Sequence, residues 1–453
     1  MALTGIEVFK LLPKTNCGDC GVPTCLAFAM NLVGGKAELA ACPHVSDESK
    51  EKLSDMAAPP MRPFSVGSGD HVVSLGGETV MFRHEKRFES PARVAILISD
   101  TLSEDEVSER VQKLTDLSYE RVGRILQAEF AALKCDSGDA GKFRALVENV
   151  TGQSDCAVIL CATDAAVLDA AATVCADRRP ILYAATAGNV ADVAAVAQKH
   201  HCPVVASGNS VDEAAEVSEK LERAGIKDIV IDSGARNLKQ AFEDQISIRR
   251  AALVGKFKPL GYPTIVIPSE ITDDPAKEAV MSCAFMAKYA GIIVLSDLSG
   301  DSLFPLLVGR LNIFTDPQRP LATSEGIYPI GDPDTSSPVL VTSNFSLTYF
   351  IVSGEIASSR VPSWLLVKDT EGLSVLTAWA GGKFSGDVIG PFVKKSGIAE
   401  KISHRTVIIP GYLAPESGAV EDELSDWQVL VGPKEASNIA GYLKLWPFDE
   451  EAK

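Results

Sequence analysis

The feature that most constrains this chain is a rhythm between residues 93 and 300. Short apolar, β-branched runs recur at Arg93–Ser99, Ala157–Cys161, Ile181–Ala185, Pro203–Ala206, Asp228–Ile231, Thr264–Ile267 and Gly291–Leu295. Ala-, Glu- and Lys-rich helical stretches such as Val211–Ala224 and Asp274–Tyr289 separate most of them. Each such helix carries the chain back to begin the next strand in the same direction. Seven strand–helix units predict a parallel α/β domain, with a TIM-type (β/α)8 barrel as its natural closure. The eighth unit is expected from residues 301–330. In such a barrel chemistry follows the strand C-termini, where Asp100, Asp164, Thr186, Asp232, Ser269 and Asp297 fall. Acids at those places are more commonly helix N-caps. The region has no phosphate-binding glycine motif and no metal-spaced histidine pair, and His200-His201 reads as a solvated helix end.

A second constraint lies in the first fifty residues. Cys17, Cys20, Cys25 and Cys42 form a C-x2-C-x4-C-x16-C pattern, four of ten cysteines within 26 residues. The other six (Cys135, Cys156, Cys161, Cys175, Cys202 and Cys283) sit in strand-like or Ala-rich contexts and read as small buried hydrophobes. A formal charge of −17 argues against nucleic acid or anionic lipid as the main partner. No apolar run is long enough to span a membrane, and the first residues lack the plan of a signal peptide. The expectation is a soluble cytoplasmic protein, in which thiols stay reduced and clustered cysteines are metal ligands.

Locally, Ile6, Phe9 and Leu12 fall at helical spacing until Pro13, and Gly18 and Gly21 let the backbone curl around a metal centre. Cys25 opens an apolar helix, Leu26–Leu32, that ends at Gly34-Gly35; a short helix, Lys36–Ala41, returns Cys42. Four thiolates suit tetrahedral zinc or a 4Fe–4S cluster. Zinc sites are usually built from two short knuckles, and only Cys17–Cys20 qualifies, so the spacing favours the cluster.

Residues 57–92 read as a connector: Ala57–Pro63 is Pro-rich and stiff, and Val72–Phe82 suggests two strands around Gly76-Gly77. Beyond a Pro-, Gly- and Asp-rich boundary at 316–337 come four strands, Val339–Thr342, Trp364–Val367, Thr406–Ile409 and Gln428–Val431. Small-residue loops and helical segments follow each, which predicts a Rossmann-like doubly wound sheet with its loops at one edge. Those loops suit a large planar cofactor with a polar rim; ordinary strand–helix turns would look similar. The expected domains are a cluster domain (1–58), a linker with a β-hairpin (59–92), the barrel (93–320) and a C-terminal cofactor domain (321–453), which the resemblance described next makes a cobalamin-binding one.

N-C-G-D-C-G-x-P-T-C at 16–25, T-S-N-F-S-L-T-Y at 342–349, D-T-E-G-L-S-V at 369–375, I-I-P-G at 408–411 and V-G-P-K at 431–434 carry a resemblance. Along essentially its whole length the chain resembles the large subunit of the corrinoid iron–sulfur proteins of the anaerobic acetyl-CoA pathway. The resemblance implies a methyl carrier, the methyl-carrying subunit of a methyltransferase system, with cobalt as the reacting centre and no catalytic side chain. Cobalamin in its Co(I) state would accept a methyl group from methyltetrahydrofolate, through a separate methyltransferase, and deliver it to acetyl-CoA synthase. It would sit at the interface with a smaller partner subunit. Its expected contacts are Thr342, Ser346 and Thr348 in the first loop, and Asp369, Thr370, Gly372, Leu373, Ser374 and Val375 in the second. Pro410 and Gly411 belong to the third, and Gly432 and Pro433 to the fourth. The 4Fe–4S cluster on Cys17, Cys20, Cys25 and Cys42 would return Co(II) to Co(I), swinging on the Pro-rich connector.

Many cobalamin domains place a histidine under cobalt from a D-x-H-x-x-G motif, which is absent here. His404, the one histidine of the C-terminal region, precedes a strand. The expectation is therefore base-off cobalamin, its lower face meeting hydroxyls such as Thr370 or Ser374. Two other readings remain: a zinc-knuckle interaction protein, and an iron–sulfur oxidoreductase with a flavin. The missing G-x-G-x-x-G weakens the latter.

Overall fold

In the computed structural model, which describes residues 5–33, 37, 39–46, 48–50, 53, 59–121, 124–317 and 320–447, the chain forms two compact units. One comprises Met1–Met81, Leu97–Val107 and Glu129–Ser296; the other comprises Phe82–Ile96, Ser108–Ala128 and Asp297–Lys453. Among the described residues no helix is long and apolar enough to cross a membrane.

The connector does form a hairpin, but earlier than expected. Strands β1 (Phe64–Val66) and β2 (Val73–Leu75) pair antiparallel, Phe64 opposite Leu75. Gly76 and Gly77 follow the second strand instead of turning between the two. The alternation of buried Phe64, Val66, Val73 and Leu75 gives the pair one apolar face. That face meets the barrel at its N-terminal end: Gly67 N–H donates to Arg178 C=O (2.9 Å) and Arg62 N–H to Gly261 C=O (2.8 Å). Arg178 and Gly261 stand just before barrel strands, so the hairpin corks the end opposite the strand C-termini. A buried ion pair, Arg249 Nη2 to Glu78 Oε2 at 3.0 Å, fastens the segment that follows. Arg249 also lies 4.7 Å from the Tyr289 ring centre, and the Tyr289 hydroxyl donates to Met81 C=O. Described from Pro59 onward, the connector is therefore bolted to the barrel and is not a free tether; Ala57 and Ala58 lie outside the described residues.

The barrel strands are β3 (Arg93–Ser99), β6 (Phe130–Lys134), β7 (Ala157–Cys161), β8 (Ile181–Ala185), β9 (Val204–Ser207), β10 (Ile229–Asp232), β11 (Ile265–Val266) and β12 (Ile292–Leu295). A small hairpin, β4 (Tyr119–Arg121) with β5 (Arg124–Leu126), intervenes after β3. The order β10-β9-β8-β7-β6-β3-β12-β11 closes through an Ile231–Thr264 bridge, giving eight strands. Strands such as β7 and β10 are buried on both faces, as a helix-covered parallel sheet requires. The eighth strand is β6, not a contribution from 301–330. Phe-Ala-Ala-Leu-Lys lacks β-branched residues, so its sequence does not look like a strand, yet it is almost wholly buried. Residues 301–330 instead supply most of the helix Gly300–Ile313 and an edge strand of the next sheet.

That sheet contains β13 (Gly326–Ile330), β14 (Val339–Ser343), β15 (Ser363–Lys368), β16 (Thr406–Ile409) and β17 (Gln428–Val431), in the order β13-β15-β14-β16-β17. Only β13, unforeseen in the sequence, runs antiparallel. Separate apolar cores cover the two faces. One is centred on Phe384, Ile389 and Leu413, the other on Ile356, Ile439 and Leu443. The chain leaves β14 for β15 on one side and returns to β16 on the other. Connections from the C-terminal ends of β14 and β16 thus diverge and open a crevice, the place where open α/β sheets bind ligands.

Candidate functional site

The N-terminal module gathers the four cysteines. Helices Gly5–Leu11 and Cys25–Val33 share a core of Val8, Leu12, Phe28, Ala29, Val45 and Leu53, and both Cys25 and Cys42 are buried in it. Between the helices the loop turns tightly, with Gly18 and Gly21 at positive φ (81° and 79°) and Gly21 N–H donating to Gly18 C=O at 2.9 Å. Asn16 Oδ1 accepts from Cys25 N–H at 2.8 Å, which satisfies a first-turn helix donor and folds the Cys17 segment onto Cys25. His44 Nε2 and Asp19 Oδ2 meet at 2.6 Å and join the Cys17–Cys20 loop to the Cys42 segment. The hydrogen bond from His44, and then one from Cys17, hold the Asp19 carboxyl below its ordinary range. The described part of the expected Lys36–Ala41 helix is a single turn, Leu39–Ala41; Gly34, Gly35 and Lys36 lie outside the described residues.

All ten cysteines are free thiols. Around one zinc, with Zn–S near 2.3 Å, sulfurs stand about 3.8 Å apart. Among the described residues no three of the four sulfurs come within 4.8 Å of one another, whereas Cys17, Asp19 and His44 do bring one atom each that close. The donor set, four thiols spread more widely than a single ion needs, fits a multi-iron cluster better. Elsewhere, burial pushes the thiols of Cys175 and Cys202 up to about 12, as inert core residues.

In the C-terminal sheet the crevice is a cleft of about 240 Å³. Thr342, Thr348, Ser374, Val375, Pro410 and Pro433 line it, together with Leu340, Val352, Ile408, Ile409 and Ile439. Tyr412 and Lys434, not anticipated from the sequence, line it too. The remaining expected contacts build the walls. Asn344 Oδ1 accepts from Thr370 N–H (3.0 Å) and Gly372 N–H (2.9 Å), while its Nδ2 donates to Asp369 Oδ1 (2.8 Å). Thr370 is fully buried, its hydroxyl shared between Asn344 Oδ1 and Leu373 C=O, so Ser374 and not Thr370 presents a hydroxyl to the cleft. Asp369 borders a separate charged basin with Glu325, Lys368, Glu371 and Lys383. Gly411 and Gly432 mark close backbone approach: a Cβ on Gly411 would lie 2.5 Å from Gly432 O.

Four hydroxyls on the strand-end segments, Thr323, Thr342, Ser343 and Ser346, are each more than nine-tenths buried and lack a hydrogen-bond partner. An unpaired buried polar group costs about 1–3 kcal/mol, and of these four Thr342 is the one that lines the cleft, where a ligand could pair with it. A cofactor rimmed with amides fits that demand. His404 lies at the other end of β16. Its Nδ1 accepts from Thr406 N–H (3.2 Å), its Nε2 faces Ser337 C=O (3.0 Å), and Trp446 packs on its ring.

The barrel's strand-end candidates are all engaged. Asp164 caps a helix through Ala166 N–H, and Asp100 accepts from the amides of Asp136 and Ser137. Asn189 Oδ1 accepts from Thr186, Ser269 is near Val294 C=O, and Lys113 pairs with Asp297 at 2.8 Å. Asp232 is buried beneath Tyr183 (2.6 Å) and Arg236 (3.0 Å). Burial, then the neighbouring Asp232 charge, pushes the Tyr183 hydroxyl far up, so it stays a proton donor at ordinary pH.

A cysteine module, a closed parallel barrel and a doubly wound sheet with an unfilled demand for hydrogen bonds define a multidomain cofactor-carrying protein. Comparison with known proteins gives the family. Residues 64–443 match the family described as CO dehydrogenase/acetyl-CoA synthase delta subunit, and residues 12–44 match one described as a putative Fe-S cluster. The corrinoid/iron-sulfur protein large subunit of Moorella thermoacetica is 43% identical over 98% of this chain and 99% of its own. The acetyl-CoA decarbonylase/synthase complex subunit gamma of Methanopyrus kandleri is 37% identical over 98% of this chain and 97% of its own. A solved dihydropteroate synthase structure from Xanthomonas albilineans aligns with 55% of this chain and 97% of that one, at 14% identity and a TM-score of 0.39. The chain belongs to the family of corrinoid/iron–sulfur protein large subunits.

Proposed function

We propose that this chain is a methyl-group carrier, holding base-off cobalamin at the ends of β14 and β16 and a 4Fe–4S cluster on Cys17, Cys20, Cys25 and Cys42. The observation that carries the reading is the cleft at the ends of β14 and β16, lined by Thr342, Thr348 and Ser374, with the buried hydroxyl of Thr342 unpaired in its wall. When bound, the corrinoid would supply a cobalt nucleophile for methyl groups and the cluster a low-potential electron. The protein's own work is then binding and shielding. Leu340, Val352, Ile408 and Ile439 offer an apolar slot for a base that has left the metal, and Ser374 offers a hydroxyl at the rim. His404 has both ring nitrogens engaged at the opposite end of β16, which supports a site without a protein imidazole.

Exposed Leu347, Ile351 and Leu376 lie on the helices that follow the first two loops, and Tyr412 on the third loop. An apolar rim of this kind suits large protein partners. The proposed partners are a small partner subunit, a methyltetrahydrofolate methyltransferase and acetyl-CoA synthase; relatives named as subunits of acetyl-CoA decarbonylase/synthase complexes support a multi-subunit setting. The test is the visible spectrum of anaerobically purified protein together with Cys20→Ala. Corrin bands over an iron–sulfur shoulder are expected, and Cys20→Ala should lose reductive reactivation while sparing methyl transfer from protein already reduced. Loss of both would mean that the cluster only holds the fold; a colourless or flavin-yellow protein would overturn the reading altogether.

A further inference from the structure

We propose that the mouth of the barrel binds a small amino-carboxylate zwitterion, whose carboxylate pairs with Lys134 and whose ammonium pairs with Glu270 across the opening. The site is separate from the cleft in the C-terminal sheet, and the inference does not rest on the corrinoid reading.

The first observation is a polar layer. Lys134, Cys161 and Tyr183 stand in register on β6, β7 and β8, and Ser207 and Asp232 in register on β9 and β10. Partners in a parallel ladder point to one face. That face is the barrel interior, because the Tyr183 hydroxyl reaches past β9 to donate to Asp232 on β10 at 2.6 Å. Two residues earlier on the same strands, Ala132, Ile159, Ile181, Val205 and Val230 are wholly buried and give the interior its ordinary apolar filling. The change to polar side chains is confined to the end where barrels of this type hold their ligands.

The second is what the layer supports. Asp232, 2% exposed, accepts from Tyr183, from Gly234 N–H (2.9 Å) and from Arg236 Nη1 (3.2 Å) and Nη2 (3.0 Å). Arg236 Nη2 also donates to the Tyr183 oxygen (2.9 Å), and its Nε donates to Glu270. A buried ion pair is commonly no more stabilising than apolar residues of the same size, so stability does not account for this one. Its effect is to hold Glu270 in place at the rim.

The third is a pair of opposite charges left apart. Along the sheet β3 and β12 separate β6 from β11, and Glu270 belongs to the turn Pro268–Glu270 that follows β11. Lys134 and Glu270 therefore stand on opposite sides of the mouth. Lys134 pairs with Asp136 at 3.1 Å and Glu270 with Arg236, and neither pairs with the other. They are still near enough to interact. Burial opposes the charge on Lys134, yet its hydrogen bond to Asp136 and then the charges of Asp136 and Glu270 hold its pKa above the ordinary value. The Cys161 thiol feels both sides: burial pushes it up to about 12, with Lys134 pulling down and Glu270 pushing up. The two side chains are 38% and 36% exposed, so a solute can reach them. Among the described residues the mouth does not gather three metal-ligating atoms within 4.8 Å, which leaves an organic ion as the better match. A single charge would satisfy one side only; a zwitterion satisfies both.

The experiment is calorimetric titration of the full-length chain with glycine, β-alanine and γ-aminobutyrate, whose charges stand progressively farther apart. Propionate and propylammonium serve as the single-charge halves. At least one zwitterion should bind about tenfold more tightly than either half, as a second charge-assisted contact implies. Lys134→Gln and Glu270→Gln should each weaken that zwitterion about tenfold. Lys134→Gln should keep the wild-type melting temperature and its affinity for propylammonium, which a collapsed mouth would not. Binding of none of the three zwitterions, binding no tighter than that of the halves, or an unchanged affinity in Lys134→Gln overturns the site. Corrin absorbance of the same protein reports on the corrinoid reading separately, so either can fail without the other.

Discussion

Asn344 holds more of the site together than any residue expected to touch the ligand. Its side chain fixes the Asp369–Gly372 loop from beneath through four hydrogen bonds. Asn344→Ala should leave the buried amides of Thr370 and Gly372 without partners and cost about 3 kcal/mol in chemical denaturation. At the far end of β16, His404→Ala should leave the electron paramagnetic resonance spectrum of Co(II) protein unaltered; loss of a nitrogen splitting would make His404 an axial ligand. The loops' chemistry was legible in the sequence, since Thr342, Thr348, Ser374 and Val375 do line one cleft. Their division of labour was not. Thr370 and Asn344 are equally polar in one dimension, and only the fold turns both into the wall. Lys434 stands in the V-G-P-K run, yet nothing in one dimension marks it as lining the cleft.

At the scale of elements, helices are joined along the barrel's outer layer by pairs such as Asp169 with Lys199 and His200, both at 2.7 Å. Hydrogen bonds from Lys199, then His200, hold the Asp169 carboxyl below its ordinary value of 3.8. A depressed carboxylate stabilises the fold above its unfolded pKa, and that contribution fades as pH falls through the folded value. Asp169→Asn should therefore be less stable than wild type at neutral pH, and the two urea midpoints should converge as the pH falls below that of an ordinary carboxylate. A gap that stays constant down to acid pH would exclude the ion pair as its source.

Which elements exist was readable wherever burial selects β-branched residues on both faces, as at β7 and β10. β6 escaped because Ala131 and Ala132, though wholly buried, are not β-branched and do not mark themselves as strand. β13 escaped because an edge strand is only half buried and this one contains Pro329. The hairpin shifted because Gly76-Gly77 looks like a turn, while the pairing is decided by which residues cover the barrel end.

For the whole molecule, the corked barrel limits how the cysteine module reaches anything else. Residues from Arg62 to Glu78 cannot serve as a hinge, since Arg62, Gly67 and Glu78 are each attached to the barrel. Arg249→Met should remove the guanidinium from this buried ion pair and cost about 3–5 kcal/mol. Amide exchange across residues 61–81 should then accelerate together, as one unit released; exchange that rises only around residue 249 would show that the ion pair is not the fastener.

The same fastening has a consequence for synthesis. Glu78 leaves the ribosome 171 residues ahead of Arg249. At about 5–20 residues per second it waits roughly 9–34 s for its partner. Through that interval Phe64, Val66 and Leu75 have no barrel end to cover, so the nascent chain carries an apolar ribbon that can settle only after most of the barrel has been made. A chaperone that recognises short apolar strands would find its target here, early and for a long time, in every molecule produced.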